Sequence, residues 1–109
     1  MIPLSPSDLH ECSATRAATL PPLLHALWHD AHGDWNRAHA ITQDIDGPDA
    51  AWVHADLHRK EGDTSNADYW YHQAGRFTFT GSLHAEWTAL AVHLIGVRHE
   101  KPVKGVHAT

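Results

Sequence analysis

With 109 residues, the chain is long enough for one hydrophobic core and too short for two, so we treat 1–109 as a single domain. Its formal charge is −5 and its eight Lys and Arg residues are scattered, which excludes the concentrated basic surface that nucleic-acid binding needs. No apolar run approaches the ~20 residues of a membrane span, no basic-then-apolar leader opens the chain, and a single cysteine excludes an internal disulfide, so we expect a soluble cytoplasmic protein.

The first predicted elements are a short helix within residues 5–15 and then a helical hairpin. Two consecutive prolines suit the first turn of a helix that runs to His32, because proline is pre-set for the helical φ angle and its missing N–H is not needed there. Gly33 suits the left-handed end of this helix. Asp34 can then cap the next helix, about 35–45, so the two helices form one hairpin.

A second hairpin follows the turn "DIDGPDA". Asp49 is the predicted cap of a helix that runs to Glu61, and Gly62 is predicted to end that helix. Asp63 can cap the next helix, which ends at Gly75. This hairpin therefore repeats the order of signals found in the first one.

The rest of the chain predicts one more helix. The stretch "RFTFTGS" alternates like a short strand or an extended connector, after which Ser82 can cap a helix over about 83–97. The tail, 98–109, is predicted to be loose. A sheet would require several long segments in which apolar and polar residues alternate, and the sequence has none. The predicted fold class is therefore all-α: two tandem helical hairpins plus a C-terminal helix forming a small closed bundle.

The two hairpins are related by an internal repeat, with copies at about 22–45 and 49–75. A shift of 29 residues aligns identical residues at several positions, namely His25 with His54, Ala26 with Ala55, His29 with His58, Gly33 with Gly62, Asp34 with Asp63 and Ala38 with Ala67. The Gly-Asp pairs have a structural reason, a helix end followed at once by a helix cap. These identities by themselves indicate no chemistry.

The second copy, "EGDTSNADYWYHQAG", resembles the second half of a tetratricopeptide-like repeat of the Sel type, with its Trp-Tyr-x-x-Ala helix. The residues that carry the likeness are Gly62, Asp63, Ala67, Trp70, Tyr71 and Ala74. The resemblance spans roughly residues 22–75 and implies a binding scaffold for a protein or peptide partner. Two copies fall short of the three or so repeats that an open superhelix needs, which favours a closed bundle with the last helix as a lid.

Histidines recur at helical spacing in the first helix of each hairpin. Residues i, i+4 and i+7 fall within about a 60° arc. In the first hairpin this shared face carries His25, His29 and His32. In the second hairpin it carries His54, His58 and Glu61. An i, i+4 pair can chelate a metal, so two such helices side by side can form a site of the kind that zinc or copper accepts. The predicted ligand set is His25, His29, His54, His58 and Glu61.

An ordinary structural role is the alternative for both sets. Leucines form the apolar stripe of the first helix and its three histidines lie opposite, where solvated residues are normal. In the second hairpin, apolar residues spread around the first helix as in a central helix, so we expect His54 and His58 to be buried. A buried histidine usually contacts a carbonyl or a carboxylate. Glu61 could simply pair with Lys60 or Arg59.

Aromatic residues also concentrate in the second hairpin and, with its histidines, could line a concave pocket. The predicted ligand-binding set is Trp52, His54, His58, Glu61, Tyr69 and Trp70. The alternative is that the tryptophans belong to the core and that Tyr69 or Tyr71 reaches a surface hydrogen bond. On the last helix, His84, Glu86 and His93 are expected at the surface.

Three functions stay open from the sequence. The first is a binding or interaction module with a His- and Trp-rich pocket, as the tetratricopeptide-like resemblance implies. The second is a transition-metal-binding protein or metal-dependent enzyme that uses His54, His58 and Glu61. The third is a metal-free enzyme in which one of these histidines and Glu61 act as acid and base. Homo-oligomerisation is also left open.

Overall fold

A computed structural model describes the backbone of residues 4–107 and the side chains of residues 4–97. Within this range the regular secondary structure is entirely helical, which confirms the predicted fold class. The helices are α1 (Pro6–Glu11), α2 (Ala14–Ala17), α3 (Pro22–Ala31), α4 (Trp35–Gln43), α5 (Pro48–Lys60), α6 (Thr64–Ala74) and α7 (Leu83–His107). None of the described helices has a stretch both long and apolar enough to span a membrane.

The helix ends in the two hairpins follow the predicted punctuation. Gly33 and Gly62 have φ angles of 83° and 87°, in the left-handed region that glycine adopts at low cost. Asp34 accepts a hydrogen bond from the N–H of Arg37 at 3.0 Å, and Asp63 accepts one from the N–H of Asn66 at 3.2 Å. Both aspartates are therefore the N-caps that the sequence predicted.

Other local predictions need correction. α5 begins at Pro48 after Gly47, so Asp49 lies inside its first turn and is not the cap; its carboxylate instead accepts a hydrogen bond from His93 at 2.8 Å. The segment 5–15 forms parts of two short helices, α1 and α2, and the stretch after Gly75 is an extended connector with no strand.

The last helix is longer than its apolar pattern indicated. α7 starts after Ser82, whose hydroxyl accepts the N–H of Ala85 at 3.0 Å as the predicted cap, and it continues to His107. The predicted loose tail over 98–109 is therefore helical as far as His107, and the prediction for 108–109 falls outside the described residues.

The two hairpins pack so that α5 is the central helix. α5 contacts α3, α4, α6 and α7, and every residue from Ala50 to His58 is buried. Ala38 and Ala67 are buried where the second helix of each hairpin meets the first, and their small side chains allow close packing there. α7 packs against α1, α3 and α5, so it closes the bundle as predicted.

Candidate functional site

The central helix carries ionisable residues on two opposite faces. Residues two apart on a helix point about 200° from each other, so Asp56 faces away from its neighbours His54 and His58. We call His39, His54 and His58 the histidine cluster, which lies between α4, α5 and α6. We call Asp30, Asp56 and Glu86 the carboxyl cluster, which lies between α3, α5 and α7.

The histidine cluster is held by stacked aromatic rings. The ring centroid of His39 lies 5.1 Å from that of His54 and 5.3 Å from that of His58. Trp35 stacks on His39 at 4.8 Å, and Trp70 stacks on His54 at 4.1 Å. His54 and His58 are 6% and 7% exposed, as expected for the central helix. The contacts therefore fix the imidazole rings from two sides.

Burial favours the neutral forms of His54 and His39. Burial first, and then the neighbouring His39 and His58, lower the pKa of His54 to about 4, because a second positive charge beside them is unfavourable. The pKa of His39 is also lowered, first by burial and then by His58. At neutral pH these two imidazoles can therefore offer a nitrogen lone pair.

A carboxylate group adjoins the histidine cluster at the end of α5. Nδ1 of His58 lies 2.8 Å from Oε2 of Glu61. Donor atoms of His58, Glu61 and Asp63 all lie within 4.8 Å of one another, the only such group of three or more in the described part of the chain. Thus His58 and Glu61 come together as the sequence indicated, and Asp63 joins them.

The predicted ligand set does not converge as a whole. His25 and His29 lie near each other on α3, with their Nε2 atoms 3.1 Å apart, but they are not part of the group around His58. His32 bonds the carbonyl of Trp28 through Nδ1 at 2.8 Å. The reason is geometric, since α5 turns His54 and His58 toward α4 and α6, while α3 contacts its other side.

The predicted aromatic pocket is also divided between the two faces. Trp70 lies on the histidine side, and Tyr69 is 54% exposed with its ring edge against Trp70. Trp52 is buried on the carboxyl side, where its Nε1 donates to Glu86 at 3.0 Å. The set therefore does not surround one shared cavity.

On the carboxyl side, Glu86 is fully buried, so its expected surface position is wrong. It accepts hydrogen bonds from Trp52, from the hydroxyl of Tyr71 at 2.6 Å and from Nε of Arg59 at 3.2 Å. Burial and the hydrogen bond to Glu86 raise the pKa of Tyr71, which keeps the hydroxyl protonated as the donor. Three donors therefore satisfy this buried carboxylate.

Asp30 and Asp56 complete the cluster. Oδ1 of Asp30 accepts from Nζ of Lys60 at 2.7 Å, and Asp30 is 4% exposed. Asp56 is 2% exposed and lies beside the carboxyl groups of Glu86 and Asp30. Burial, followed by the charges of Asp30 and Glu86, raises the pKa of Asp56 to about 9, so it is a neutral acid at pH 7.

Sequence reasoning missed the carboxyl cluster, although each member lies on an apolar stripe. Asp30 is three residues after Leu27, and Glu86 is four residues before Leu90; both leucines are fully buried. Asp56 likewise follows Val53 by three residues. An acid at such a position is a signal of a buried polar group. His39, also missed, carries a weaker signal, its i, i+4 spacing from Trp35.

Comparisons of this chain with protein-family models, curated proteins and solved structures found no match.

Proposed function

We propose that this protein binds a transition-metal ion, zinc or copper, through His58, Glu61 and Asp63. The observation that carries the proposal is the mutual approach of their three donor atoms to within 4.8 Å. An imidazole nitrogen with two carboxylate oxygens is a donor set that both metals accept.

One pair of donor atoms is already closer than zinc requires, and the pairs with Asp63, which lie within 4.8 Å, would have to close to a similar distance. Bonds of 2.0–2.2 Å in tetrahedral geometry place neighbouring ligand atoms roughly 3.3 Å apart. Nδ1 of His58 and Oε2 of Glu61, now 2.8 Å apart in a hydrogen bond, would separate by about half an ångström, and the proton between them would pass to Nε2 of His58 or to solvent so that both atoms can bind the metal. Glu61 has a side chain 39% exposed at the end of α5, so a rotamer change can supply this movement.

The charges of the site also favour a cation. Arg59 and Lys60 immediately precede Glu61 in the sequence. They pair instead with Glu86 of α7 and Asp30 of α3, which lie against the other face of α5. Glu61 therefore has no lysine or arginine partner among the described side chains, and its carboxylate instead forms a hydrogen bond with His58. Two carboxylates and a neutral imidazole would bring a divalent ion close to charge balance.

The surroundings hold two of the ligands in place. Both carboxylate oxygens of Asp63 accept hydrogen bonds from Asn66, Oδ1 from its backbone N–H at 3.2 Å and Oδ2 from its side-chain amide at 3.4 Å, and these bonds fix the carboxylate. Trp35 contacts the ring of His58 edge-on at 5.9 Å. His39, whose ring centroid is 5.3 Å from that of His58, is the nearest candidate for a fourth ligand. This preorganisation reduces the cost of assembling the site.

Zinc titration of untagged protein followed by calorimetry tests the proposal. We expect one equivalent to bind, and we expect Glu61→Gln to weaken binding by at least roughly tenfold, because it removes a charged ligand. Since Glu61 is partly exposed, this variant should remain folded. Elemental analysis of protein purified without chelator or a nickel column checks which metal is retained.

His29→Ala is the matched control, because it breaks the other i, i+4 histidine pair of the chain. It should leave the affinity at the His58 site unchanged. Equal binding by wild type and Glu61→Gln, with loss in His29→Ala, would place the metal on α3 and contradict the proposal.

A second candidate function is the binding module that the tetratricopeptide-like resemblance implies. It is supported by an apolar cleft of about 250 Å³, a size suited to an apolar side chain of a peptide partner. The cleft is lined by Pro21, Pro22, Leu23, Leu24, Ile45, Asp49, Leu94 and Val97. Peptides selected on wild type should lose binding to Val97→Glu and keep it with Glu61→Gln; the reverse pattern would contradict this candidate.

The cytoplasm is the proposed compartment, because Cys12 has no partner for a disulfide within the chain.

A further inference from the structure

A second close pair of imidazoles, His25 and His29, lies on α3. Their Nε2 atoms are 3.1 Å apart and their ring centroids are 4.6 Å apart. Both residues are partly exposed. Helical spacing brings them together, because residues i and i+4 lie one above the other on the same face of a helix. The group of donor atoms around His58 includes neither of them.

The corresponding pair on α5 is arranged differently. His54 and His58 are 6% and 7% exposed, and their ring centroids are 5.8 Å apart. Nδ1 of His58 is hydrogen-bonded to Glu61, and the ring of His54 stacks on Trp70. A molecule in solution can therefore reach the pair on α3, whereas other side chains enclose most of the pair on α5.

The separation of the two nitrogens on α3 fits two adjacent ligands of one metal ion. Bonds of about 2.0 Å at a right angle, as in tetragonal copper(II), place neighbouring nitrogens about 2.8 Å apart. Tetrahedral bonds of similar length place them about 3.3 Å apart. The 3.1 Å between the Nε2 atoms of His25 and His29 lies between these values. A movement of about 0.3 Å is therefore enough for both nitrogens to bind copper.

The hydrogen bond between the two imidazoles is compatible with this exchange. It requires an N–H on one Nε2 atom and a lone pair on the other. When a metal ion replaces that hydrogen, the proton passes to Nδ1 of the same ring. Both imidazoles stay neutral, and the protein loses no proton overall.

Trp28 limits the number of histidine ligands to two. Its ring contacts His29 edge-on, with centroids 5.2 Å apart. His32, the third residue of the predicted face, stacks on Trp28 at 4.0 Å and bonds the Trp28 carbonyl through Nδ1 at 2.8 Å. His32 is therefore engaged by Trp28, and His25 and His29 are the donors that face each other.

We propose that His25 and His29 form a second metal site, which binds copper(II) as a complex that keeps ligands of its own. Among divalent first-row metals, copper(II) has the highest affinity for such donors, and two adjacent nitrogens suit its tetragonal geometry. Two protein ligands leave the other positions to carboxylate or amine groups of another molecule. The site therefore suits uptake of copper from a small chelator or its transfer to one.

The donor set favours a copper complex over a bare ion. No carboxylate oxygen of the described side chains joins the two imidazoles within 4.8 Å, in contrast to the group around His58. A bare divalent ion would keep its charge on α3, whereas a complex that brings its own carboxylates needs none from the protein. Zinc ranks below copper for nitrogen donors and is expected at the group that supplies carboxylates. The two sites use different residues, so each proposal can fail without the other.

Titration with copper(II) nitrilotriacetate at pH 7.5 tests the proposal. This chelator occupies four positions around copper and leaves two adjacent ones, which a pair of imidazoles can fill. One equivalent of zinc is added first to occupy the His58 site. We expect one complex per chain with a dissociation constant of about 0.1 mM or tighter. Electron spin-echo envelope modulation, which counts the imidazoles on copper, should show two.

His25→Ala and His29→Ala should each weaken binding by at least roughly tenfold and leave at most one imidazole on copper, since chelation by two nitrogens is lost. Alanine is the best helix former, so both variants should fold, which a melting curve checks. His72→Ala is the matched control: it removes an exposed histidine of α6 that has no histidine four residues away, and it should bind as wild type does.

Three results would overturn the proposal. They are the absence of saturable binding, a single imidazole on copper in wild type, and an affinity that is equal in wild type and His29→Ala. A loss in His72→Ala as large as that in His29→Ala would also contradict it, because the copper would then bind to exposed histidines in general. Failure of zinc to bind at His58 leaves each of these outcomes unchanged.

Discussion

On one face of α5, His54 and His58 pack against α4 and α6; on the opposite face, Asp56 packs against α3 and α7. Burial acts on both faces by disfavouring charge, but the neutral forms differ. The histidine becomes neutral by giving up a proton, whereas the aspartic acid becomes neutral by keeping one. One helix therefore buries ionisable groups with opposite responses to pH.

The signs of these responses follow from the pKa directions. The folded pKa of His54, about 4, is below its unfolded value of 6.5, so stability falls as the pH drops between these values. The folded pKa of Asp56, about 9, is above its unfolded value of 3.8, so stability falls as the pH rises between those values. From about pH 4 to 6.5 the two effects oppose each other, and above this range the effect of Asp56 remains.

The largest effect should come from breaking the carboxyl cluster. Glu86→Ala removes the acceptor of the indole of Trp52 and of the hydroxyl of Tyr71, and it removes the carboxylate partner of Arg59, whose Nη2 keeps its hydrogen bond to the carbonyl of Gly81. Two buried donors left unpaired, together with a partly buried guanidinium without its carboxylate, should lower the free energy of unfolding by about 3–5 kcal/mol. Urea denaturation measures this loss, and a change below about 1 kcal/mol would show that the network is not buried in solution.

Asp56→Asn should stabilise the protein at neutral and alkaline pH. In wild type the folded chain holds a proton on Asp56 that the unfolded chain releases, and the variant has no such proton. The difference in free energy of unfolding, variant minus wild type, should therefore grow by up to about 1.4 kcal/mol per pH unit above pH 4. Denaturant midpoints from pH 5 to pH 8.5 give this slope. A constant difference between the two proteins would mean that Asp56 is ionised in the folded state.

On the opposite face, His54→Phe should remove the part of the acid sensitivity that comes from His54. Phenylalanine can keep the stacking contact with Trp70 but cannot be protonated in the unfolded chain. Wild type should lose stability relative to this variant by on the order of 1 kcal/mol per pH unit as the pH falls from 6.5 to 4. Thermal melts across that range check the slope, and parallel curves would contradict the lowered pKa.

The smallest change is expected at the exposed end of the histidine face. Glu61→Gln replaces the partly exposed carboxylate that is hydrogen-bonded to His58, so without metal it should lower the free energy of unfolding by less than about 1 kcal/mol. With saturating zinc, wild type should melt higher than the variant, because a ligand that binds the folded state stabilises it. Equal shifts on adding zinc would place the metal elsewhere.

The interactions predicted well from sequence are those between near neighbours. The caps at Asp34 and Asp63 lie at the ends of their helices, and His58 and Glu61 are three residues apart, so a helix alone brings them together. The contact of His39 with His54 could not be predicted in this way, because it depends on how α4 packs against α5. The tetratricopeptide-like character of the repeat stays a prediction.

What the amino-acid sequence determined by itself was the helical content, most helix starts and the two hairpins, because capping, left-handed glycines and apolar periodicity act within a few residues of the chain. Packing alone decided which polar residues are buried together. Asp30, Asp56 and Glu86 come from three helices, and their charge states depend on desolvation and on one another's charges. That environment exists only after α3, α5 and α7 have packed, since in the unfolded chain water separates and screens these groups.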